Sequence, residues 1–287
     1  MKSERPKKAI EKKKTLNFRI NRIKTNLYNF FHRKGLDYRA LDVDESLQML
    51  LETGKSYIRF GNGESEILAG LDMSTQVYDE NLEKCLVKII KEYSSESNYL
   101  LGLTNWCLTL SIKELKQAPS GNLHLIWRFM RYIFHRLDMD RIKMPFLEAD
   151  MFRIAPVGLP TDRIELLWAE KSSIIMVYNN RKSYQKFKEQ HSEKEIYFVE
   201  IADKNFFDIL PETEGKILSI IKDNGIRTDD LAVLISAGPG SNVLCYNLCQ
   251  QDDNILCYDM GNFFYMRYRE KLQGPRGQGV EDSRGKD

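Results

Sequence analysis

The chain has 287 residues, of which 42% are hydrophobic and 29% charged, so it has enough apolar material for a buried core and is not disordered as a whole. Its 17 glycines and 8 prolines exclude a collagen-like or low-complexity polymer. The formal net charge of +2 conceals an asymmetry: residues 1–36 hold 12 Lys and Arg against 2 Asp and Glu, whereas residues 37–287 carry a net charge of −8. The sequence therefore predicts a basic arm on an acidic body.

The basic arm, residues 1–36, contains a predicted amphipathic helix. Its apolar residues recur at steps of four, three, four and three, with arginines and lysines around them. This stripe consists of Leu16, Ile20, Ile23, Leu27 and Phe30. Two partners remain open for it, the protein's own body and an anionic surface such as the inner membrane face. We expect no nucleic acid partner, because the sequence lacks a helix-turn-helix, zinc-finger or aromatic RNA-binding motif.

The expected compartment is the cytoplasm. Five cysteines form no Cys-x-x-Cys pair and no zinc-ligand spacing, which favours reduced thiols. The longest uncharged stretch, Leu231–Gln251, is interrupted by Gly238-Pro239-Gly240 and predicts strand, turn and helix rather than a membrane span. The N-terminus lacks the apolar core of a signal peptide.

The body alternates between short apolar runs and segments with helical periodicity. This alternation predicts right-handed βαβ units and an α/β fold: a single Rossmann-like domain over residues 40–270 with a mostly parallel sheet. A helical insertion near residues 105–145 could cover part of the crevice, and the glycine-rich tail 274–287 is predicted to be disordered. The predicted strands are Ser56–Phe60, Tyr99–Leu103, Ser173–Tyr178, Ile196–Ile201, Leu231–Ala237 and Ile255–Tyr258, and the clearest helices Asn81–Tyr93 and Leu123–Leu137.

Ligands of open α/β sheets bind beyond the carboxyl ends of the strands, so the loops after strands are the candidate sites. The first such loop, Gly61-Asn62-Gly63-Glu64, leads from a strand into a helix that we expect to begin near Glu64. Its glycines allow close backbone approach to a ligand, and the oxygens of Asn62 and Glu64 could converge on one hard cation. The alternative is an ordinary Asn-Gly turn in which Glu64 only favours the helix N-terminus.

The second loop, Gly238-Pro239-Gly240-Ser241-Asn242, lies between a strand and a helix expected to start near Ser241. Backbone N–H groups at the positive end of a helix suit a phosphate or pyrophosphate. The loop is not a Walker motif, and Val243 stands where a dinucleotide fingerprint would have its third glycine. A tight turn without ligand is the alternative.

Three further acids are candidates. Asp259 follows the last predicted strand, where it could accept hydrogen bonds from a ribose or sugar hydroxyl or cap the next helix. Glu148 and Asp150 flank Ala149 and would face the same way in a strand, so either could serve as general base, although paired or solvated acids are the plainer interpretation. The four histidines show neither metal-ligand spacing nor a nearby nucleophile elbow, which argues against a triad hydrolase.

Taken in order, the segments Tyr57–Glu64 and Leu234–Leu244 resemble the bacterial GT-D-type glycosyltransferases. Trp168, the strand Ile174–Tyr178 and the segments Lys204-Asn205-Phe206 and Asp259-Met260-Gly261-Asn262 follow the family's order, and the resemblance covers about residues 45–268. It implies one Rossmann-like domain that transfers a sugar, typically glucose, from a UDP-sugar to a glycan or glycoprotein acceptor with Mn²⁺ or Mg²⁺. Family members serve glycosylation of bacterial surface proteins or polysaccharides.

The resemblance also implies site residues. The family's Asp-x-Glu motif, associated with metal and nucleotide, falls on Asn62-Gly63-Glu64, where the first acid is an amide. A carboxamide can ligate a divalent cation but adds no charge, so weaker metal binding is expected unless Glu66 or Asp259 compensates. The family's closing Asp-x-Gly-His motif ends here in Asn262.

Sugar transfer needs neutralisation of charge on the departing UDP, stabilisation of a cation-like sugar ring and removal of the acceptor proton. The loop Gly238–Asn242 and a metal near Glu64, assisted by Arg59, would meet the first need, and Asp150 or Glu148 the third. A catalytically weakened homologue that binds a nucleotide-sugar or a partner glycosyltransferase is one alternative. A Rossmann enzyme of another kind, such as a methyltransferase, is the other.

Overall fold

The computed structural model describes residues 19–20, 22–32, 41–104, 110–111, 113–114, 123–137, 144–153 and 159–268, with no side-chain account of residues 123–127. The tail 274–287, predicted to be disordered, lies outside these residues, as does the part of the arm before residue 19.

Seven parallel strands form one sheet in the spatial order β3-β2-β1-β7-β6-β4-β5. The first three strands run from β1 at the centre to β3 at one edge, and the last four fill the other half, ending with β7 beside β1, so the two halves of the chain meet between β1 and β7. The strands are β1 (Ser56–Phe60), β2 (Tyr99–Leu103), β3 (Leu147–Glu148), β4 (Ser173–Tyr178), β5 (Glu195–Glu200), β6 (Leu231–Ile235) and β7 (Leu256–Asp259).

Helices cover both faces of the sheet, as expected for buried parallel strands. One face carries α3 (Asn62–Leu68), α4 (Glu80–Glu92), α5 (Leu123–Arg136), α8 (Leu210–Asp223) and α9 (Gly240–Gln251). The other carries α2 (Val43–Thr53), α6 (Thr161–Glu165), α7 (Arg181–Gln190) and α10 (Phe263–Tyr268). Short 3₁₀ turns occupy Leu166–Trp168, Phe206–Ile209 and Thr228–Asp230.

The strand residues alternate between the two cores. On β1, Ile58 and Phe60 join the core under α3 and α4, whereas Tyr57 joins the opposite core. All five side chains of β6 are buried, which explains why its sequence is a continuous apolar run.

The structure confirms the predicted α/β class and parallel sheet, and the six predicted strands match within two residues at each end. The two-residue strand β3 was not predicted. Within the insertion near residues 105–145, α5 forms as expected, but no side chain of its described part lines the cleft described below.

The N-terminal helix α1, described at residues 19–20 and 22–31, packs on α5 through one face. Thr25, Tyr28 and Asn29 are buried there, and Asn29 Nδ2 donates to the carbonyl of Arg128 at 2.9 Å. The described part of the apolar stripe points elsewhere: Ile23 is 67% and Leu27 59% exposed. The sequence left open that this stripe packs against the protein's own body. For Ile23 and Leu27 that alternative is contradicted, because the opposite, polar side of the helix makes the contact.

Candidate functional site

A cleft of about 390 Å³ opens at the carboxyl end of the sheet, where the two halves of the chain meet between β1 and β7. This is the position at which open α/β sheets bind their ligands. The cleft is lined from the loops after β1, β6 and β7 and from the turn after β3, with further residues from the loops after β2, β4 and β5. From the predicted set it receives Arg59, Asn62, Gly63, Glu64, Asp150, Gly238, Pro239 and Asp259.

The two glycine-containing turns, which lie far apart in sequence, meet across this cleft. A Cβ atom built on Gly63 would lie 3.5 Å from Cγ of Pro239. A buried amide joins the same region, because Nδ2 of Asn242 donates to the carbonyl of Arg59 at 2.6 Å. The turns after β1 and β6 therefore form adjoining walls of one site.

Arg59, at the end of β1, passes between two glycines. A Cβ on Gly61 would lie 2.5 Å from Nη2 of Arg59, and a Cβ on Gly261 would clash with its Nη1. The guanidinium is held by Nε, which donates to the carbonyl of Ala149 at 3.0 Å. These glycines are required because any side chain would occupy the space of the guanidinium group.

Carboxylates surround this guanidinium. Burial alone would lower the pKa of Arg59, but the charges of Asp259 and Glu64 outweigh it and raise that pKa. The pKa of Asp259 rises to about 7, chiefly because burial disfavours the charged form; Arg59 opposes this rise and Glu64 adds to it. The charged guanidinium of Arg59 and these two acids thus lie within a small volume.

One carboxylate oxygen of Asp259 lacks a hydrogen-bond partner among the described residues. Its Oδ1 accepts a hydrogen bond from the backbone N–H of Gly261 at 3.0 Å, whereas its Oδ2 is buried without a hydrogen-bond partner among the described residues. The hydrogen bond to Gly261 means that Asp259 stabilises the turn after β7. It does not cap α10, which begins four residues later at Phe263. A buried unpaired oxygen on a cleft wall is suited to a ligand hydroxyl or a cation.

Glu64 closes the first turn of α3, which begins at Asn62, two residues earlier than expected. Its Oε2 accepts from the backbone N–H of Gly61 at 2.7 Å, so the helix-terminus role considered from the sequence is present. Glu64 also lines the cleft, as does Asn62.

The donor chemistry fits a divalent cation in part. Carboxylate and amide oxygens of Glu64, Asp259 and Asn62 line one wall, and the unpartnered Oδ2 of Asp259 offers a ligand atom. Among the described residues no group of three or more His, Cys, Asp and Glu stands in a ready metal-binding arrangement.

The two acids at the end of β3 and in the turn after it, Glu148 and Asp150, have different surroundings. Asp150 lies in a turn and lines the cleft, with its Oδ1 3.9 Å from Nη2 of Arg59 and 3.3 Å from Nε of Arg153. Glu148 is buried, and its Oε1 accepts from the backbone N–H of Asp150 at 3.0 Å. Because the segment turns after Glu148, the two carboxylates do not share one strand face as the strand-like alternative assumed.

Three of the five residues of the second predicted loop have a supporting role and are buried. Oγ of Ser241 accepts from the N–H of Ala237 at 2.8 Å, and the side chain of Asn242 holds the end of β1. A Cβ on Gly240 would clash with the ring of Phe206. These three residues and Gly61, expected to bind cofactor, are absent from the cleft lining, which Gly238 and Pro239 reach.

Several lining residues were missed by sequence reasoning. Thr104 follows β2, Asn179 follows β4 and Asp203 lies in the loop after β5, so the rule that chemistry follows strand ends would have found them. The same rule covers Tyr178, which ends β4, and Ser236, which follows β6, while Phe206 and Asn262 lie in motifs that carried the resemblance. Four lining residues gave no local signal: Met73, Thr75, Arg153 and Tyr265.

Comparison with protein families matches residues 57–273 to the family described as "Glycosyltransferase GT-D fold". This match spans most of the chain and includes the whole described cleft and, apart from Ser56 at the start of β1, all the described strands. The chain therefore belongs to the GT-D glycosyltransferase fold family.

Two curated streptococcal proteins are similar to this chain. "Glycosyltransferase GlyD" of Streptococcus pneumoniae serotype 4 is 25% identical over 235 residues, which are 77% of this chain and 26% of that protein. "Probable glycosyl transferase Gly" of Streptococcus gordonii is 41% identical over 220 residues, 74% of this chain and 30% of that protein. The chain thus spans less than a third of the length of either relative.

Solved structures support the fold. "A New Glycosyltransferase (DUF1792) from Streptococcus sanguinis" superposes with a TM-score of 0.60 at 20% identity, over 80% of this chain and 83% of that one. A second structure, described as "The highly conserved domain of unknown function 1792 has a distinct glycosyltransferase fold", gives a TM-score of 0.60 at 17% identity, over 87% and 83% of the two chains.

Proposed function

We propose that this protein is a glycosyltransferase that transfers a sugar, glucose in the first instance, from a UDP-sugar to a glycan or glycoprotein acceptor. Membership of the GT-D family supports the reaction class. The observation that supports the proposal is the cleft at the carboxyl ends of β1, β6 and β7, which is lined by Arg59 and the Gly238 turn together with the acids Asp259 and Glu64. Such a site combines groups for an anionic leaving group with groups for hydroxyls or a cation.

The diphosphate of the donor would lie between Arg59 and the turn at Gly238 and Pro239. Arg59 brings a guanidinium that its surroundings keep charged, and α9 directs the positive end of its dipole toward that turn. Stabilising the negative charge that develops on the leaving UDP is the main electrostatic task in such a transfer.

We propose Mn²⁺ or Mg²⁺ as cofactor, held by Glu64, Asp259 and Asn62. When bound, the cation would supply further neutralisation of the diphosphate charge. Arg59 lies among the same acids and takes part of this role through its own charge, so the cleft retains a cationic centre in either case.

Asp150 is the proposed general base for the acceptor hydroxyl, in preference to Glu148, because only Asp150 lines the cleft. Asp150→Asn should lower kcat by about a hundredfold, in the range for loss of a general base, with little change in UDP affinity. If Asp150 instead serves to position Arg59, the same variant would weaken UDP binding, so measuring kcat and UDP affinity together separates the two roles. A variant with wild-type kcat would contradict the assignment.

The acceptor would enter at the end of the cleft lined by Tyr178 and Tyr265. Tyr265 is 50% exposed, and the same two tyrosines border a neighbouring depression of about 270 Å³. Aromatic faces suit the apolar faces of sugar rings. A saccharide acceptor is therefore the class that this edge of the site favours.

The deciding experiment is a thermal-shift titration with UDP, UDP-glucose and S-adenosylmethionine, each with and without Mn²⁺, followed by a donor-hydrolysis assay. Stabilisation by UDP together with turnover supports the proposal. No response to UDP would contradict it, and stabilisation by S-adenosylmethionine alone would indicate a methyltransferase.

A second candidate function is that of a catalytically weakened homologue that binds a nucleotide-sugar and assists a partner glycosyltransferase. The observation in its favour is Asn62, an amide on the cleft wall where the family motif has its first acid. Stabilisation by UDP without turnover of any UDP-sugar would favour this candidate.

A further inference from the structure

The exposed side of α1 carries a continuous apolar strip. Counted at about 100° per residue, its five large apolar side chains fall within an arc of about 100° and extend along about 17 Å of helix axis. Their exposed fractions lie between 39% and 71%; they are Ile20, Ile23, Leu27, Phe30 and Phe31. This strip is half of all the large hydrophobic side chains exposed in the described part of the chain, gathered on one short helix.

The orientation of α1 is fixed by its opposite side. Asn29 donates to the carbonyl of Arg128, Nη2 of Arg128 donates to Oδ1 of Asn26 at 3.0 Å, and the ring of Tyr28 stacks on His135 with 4.7 Å between centroids. Because these contacts hold the polar side of the helix against α5, the apolar strip faces away from the body.

Positive charge borders the strip. Arg19 and Lys24 stand on its two sides in the helical projection, and both are exposed, as is Arg22. The sequence continues this charge, with 12 Lys and Arg against 2 Asp and Glu in residues 1–36. An apolar strip flanked by basic residues is complementary to an interface that has acyl chains below a layer of negative charge.

We propose that α1 binds the surface of an anionic lipid bilayer, with the apolar strip inserted between headgroups and the flanking basic residues on the lipid phosphates. The helix lies in the plane of the interface and does not cross it, since no described helix is long and apolar enough to span a membrane. The body, with a net charge of −8 over residues 37–287, is repelled by such a surface, so the arm is the part that makes contact.

The test is sedimentation of the full chain with vesicles of phosphatidylcholine alone and of phosphatidylcholine mixed with an equal part of phosphatidylglycerol. The full chain should bind the mixed vesicles and bind the neutral ones much more weakly. The double variant Ile23→Ser, Leu27→Ser should lose about tenfold or more in affinity, because two exposed apolar side chains no longer enter the bilayer. The matched control is Leu51→Ser, Leu166→Ser, which removes two exposed apolar side chains from other helices and should bind like the unmodified chain.

Any one of the following outcomes would overturn the proposal. Wild-type binding of the Ile23, Leu27 variant would assign the attraction to the basic residues alone, and absence of binding to mixed vesicles would remove the membrane as partner. A lower Tm of this variant would show that another part of the chain covers the strip. A dimer that dissociates in this variant would identify a second copy as occupant, and equal affinity for a single-stranded oligonucleotide would indicate nucleic acid. None of these measurements depends on glycosyl transfer.

Discussion

Arg59 is the residue on which the candidate site depends most closely. Its guanidinium group is confined by Gly61 and Gly261, anchored by Ala149 and kept charged by two acids. A charged hydrogen bond to a phosphate contributes about 1.5–3 kcal/mol, but only if the donor stands where the phosphate will be. The surrounding glycines thus act on function through the position of Arg59.

Substituting Gly61 by Ala should displace Arg59 without unfolding the protein. The backbone φ of Gly61 is −109°, which any residue can adopt, and the atom in conflict is the end of a flexible side chain. We therefore expect UDP affinity to fall about tenfold, equivalent to about 1.4 kcal/mol, with the Tm nearly unchanged. Isothermal titration with UDP measures the effect.

The matched control is Gly215→Ala on α8, where a Cβ would meet no atom within 4 Å. It should leave UDP affinity unchanged and stabilise the helix by about 0.5–1 kcal/mol. If Gly61→Ala binds UDP as well as this control does, Arg59 has no part in the phosphate site.

Asn62 offers a gain-of-function test. Asn62→Asp would restore a carboxylate to the wall that already carries Glu64 and Asp259, so Mn²⁺ affinity should rise by about tenfold or more. Without metal, the added negative charge should lower the Tm slightly because it faces two other acids. Titration of Mn²⁺ followed by its paramagnetic resonance signal provides the readout.

The control is Asn81→Asp, the same change at an exposed position in the first turn of α4. It should leave Mn²⁺ affinity as it is. Equal metal affinity in Asn62→Asp and the unmodified chain would place any cation elsewhere in the cleft.

Part of the site could be predicted from the residues because it depends on local order. Asn62, Glu64 and Asp259 follow strands, and strand ends of a parallel sheet converge on one edge. The confinement of Arg59 could not be predicted, because Gly61 and Gly261 are 200 positions apart in sequence and only the fold makes them neighbours. Likewise, the local sequence around Asn242 does not show that its side chain will support the end of β1.

Among the elements, six of the seven strands of the sheet could be predicted from the sequence, but the edge strand β3 could not. Long apolar runs such as those of β4 and β6 are typical of buried parallel strands. The strand β3 has two residues and no periodicity, and it forms because other elements hold it. Oη of Tyr57 donates to the carbonyl of Glu148 at 2.9 Å, and the N–H of Glu148 donates to Oγ of Ser46 at 2.8 Å.

A buried histidine, His191, directly follows α7 and should make the free energy of unfolding depend on pH. His191 lies against Phe187, with 4.5 Å between ring centroids, and its Nε2 has no hydrogen-bond partner in the described part of the chain. Burial lowers its pKa below the ordinary 6.5, although Glu165 and Glu193 oppose that shift. The neutral ring is therefore the form that the fold accommodates.

This lowered pKa sets the sign of the effect. Below about pH 6.5 the unfolded chain binds a proton that the folded chain rejects, so His191 should reduce the free energy of unfolding as the pH falls through its folded-state pKa. His191→Gln removes this titration, and its Tm should fall less than that of the unmodified chain between about pH 7.5 and about pH 5.5. Parallel pH profiles of the two proteins would contradict the assignment. The substitution itself should cost about 1–2 kcal/mol at the higher pH through lost packing.

At the scale of the whole molecule, the cleft lies where the two halves of the sheet meet. The turn after β1 belongs to the half that extends to β3, and the turn after β6 belongs to the half that extends to β5. The hydrogen bond from Asn242 to the carbonyl of Arg59 joins the halves at the site itself. A ligand that bridges both walls should then stabilise both halves together.

Hydrogen exchange measured by mass spectrometry can test this coupling. Saturating UDP with Mn²⁺ should slow amide exchange in Gly61–Ser65 and in Ala237–Ser241 at once, although the two segments are far apart in sequence. At a ligand concentration of about 100 times Kd, amides that exchange only when the ligand leaves should slow by about a hundredfold, corresponding to about 2.7 kcal/mol. Amides of α4, which does not line the cleft, serve as the internal reference. Protection confined to one segment would mean that the ligand rests on a single wall, and the cleft between the halves would then not be the donor site.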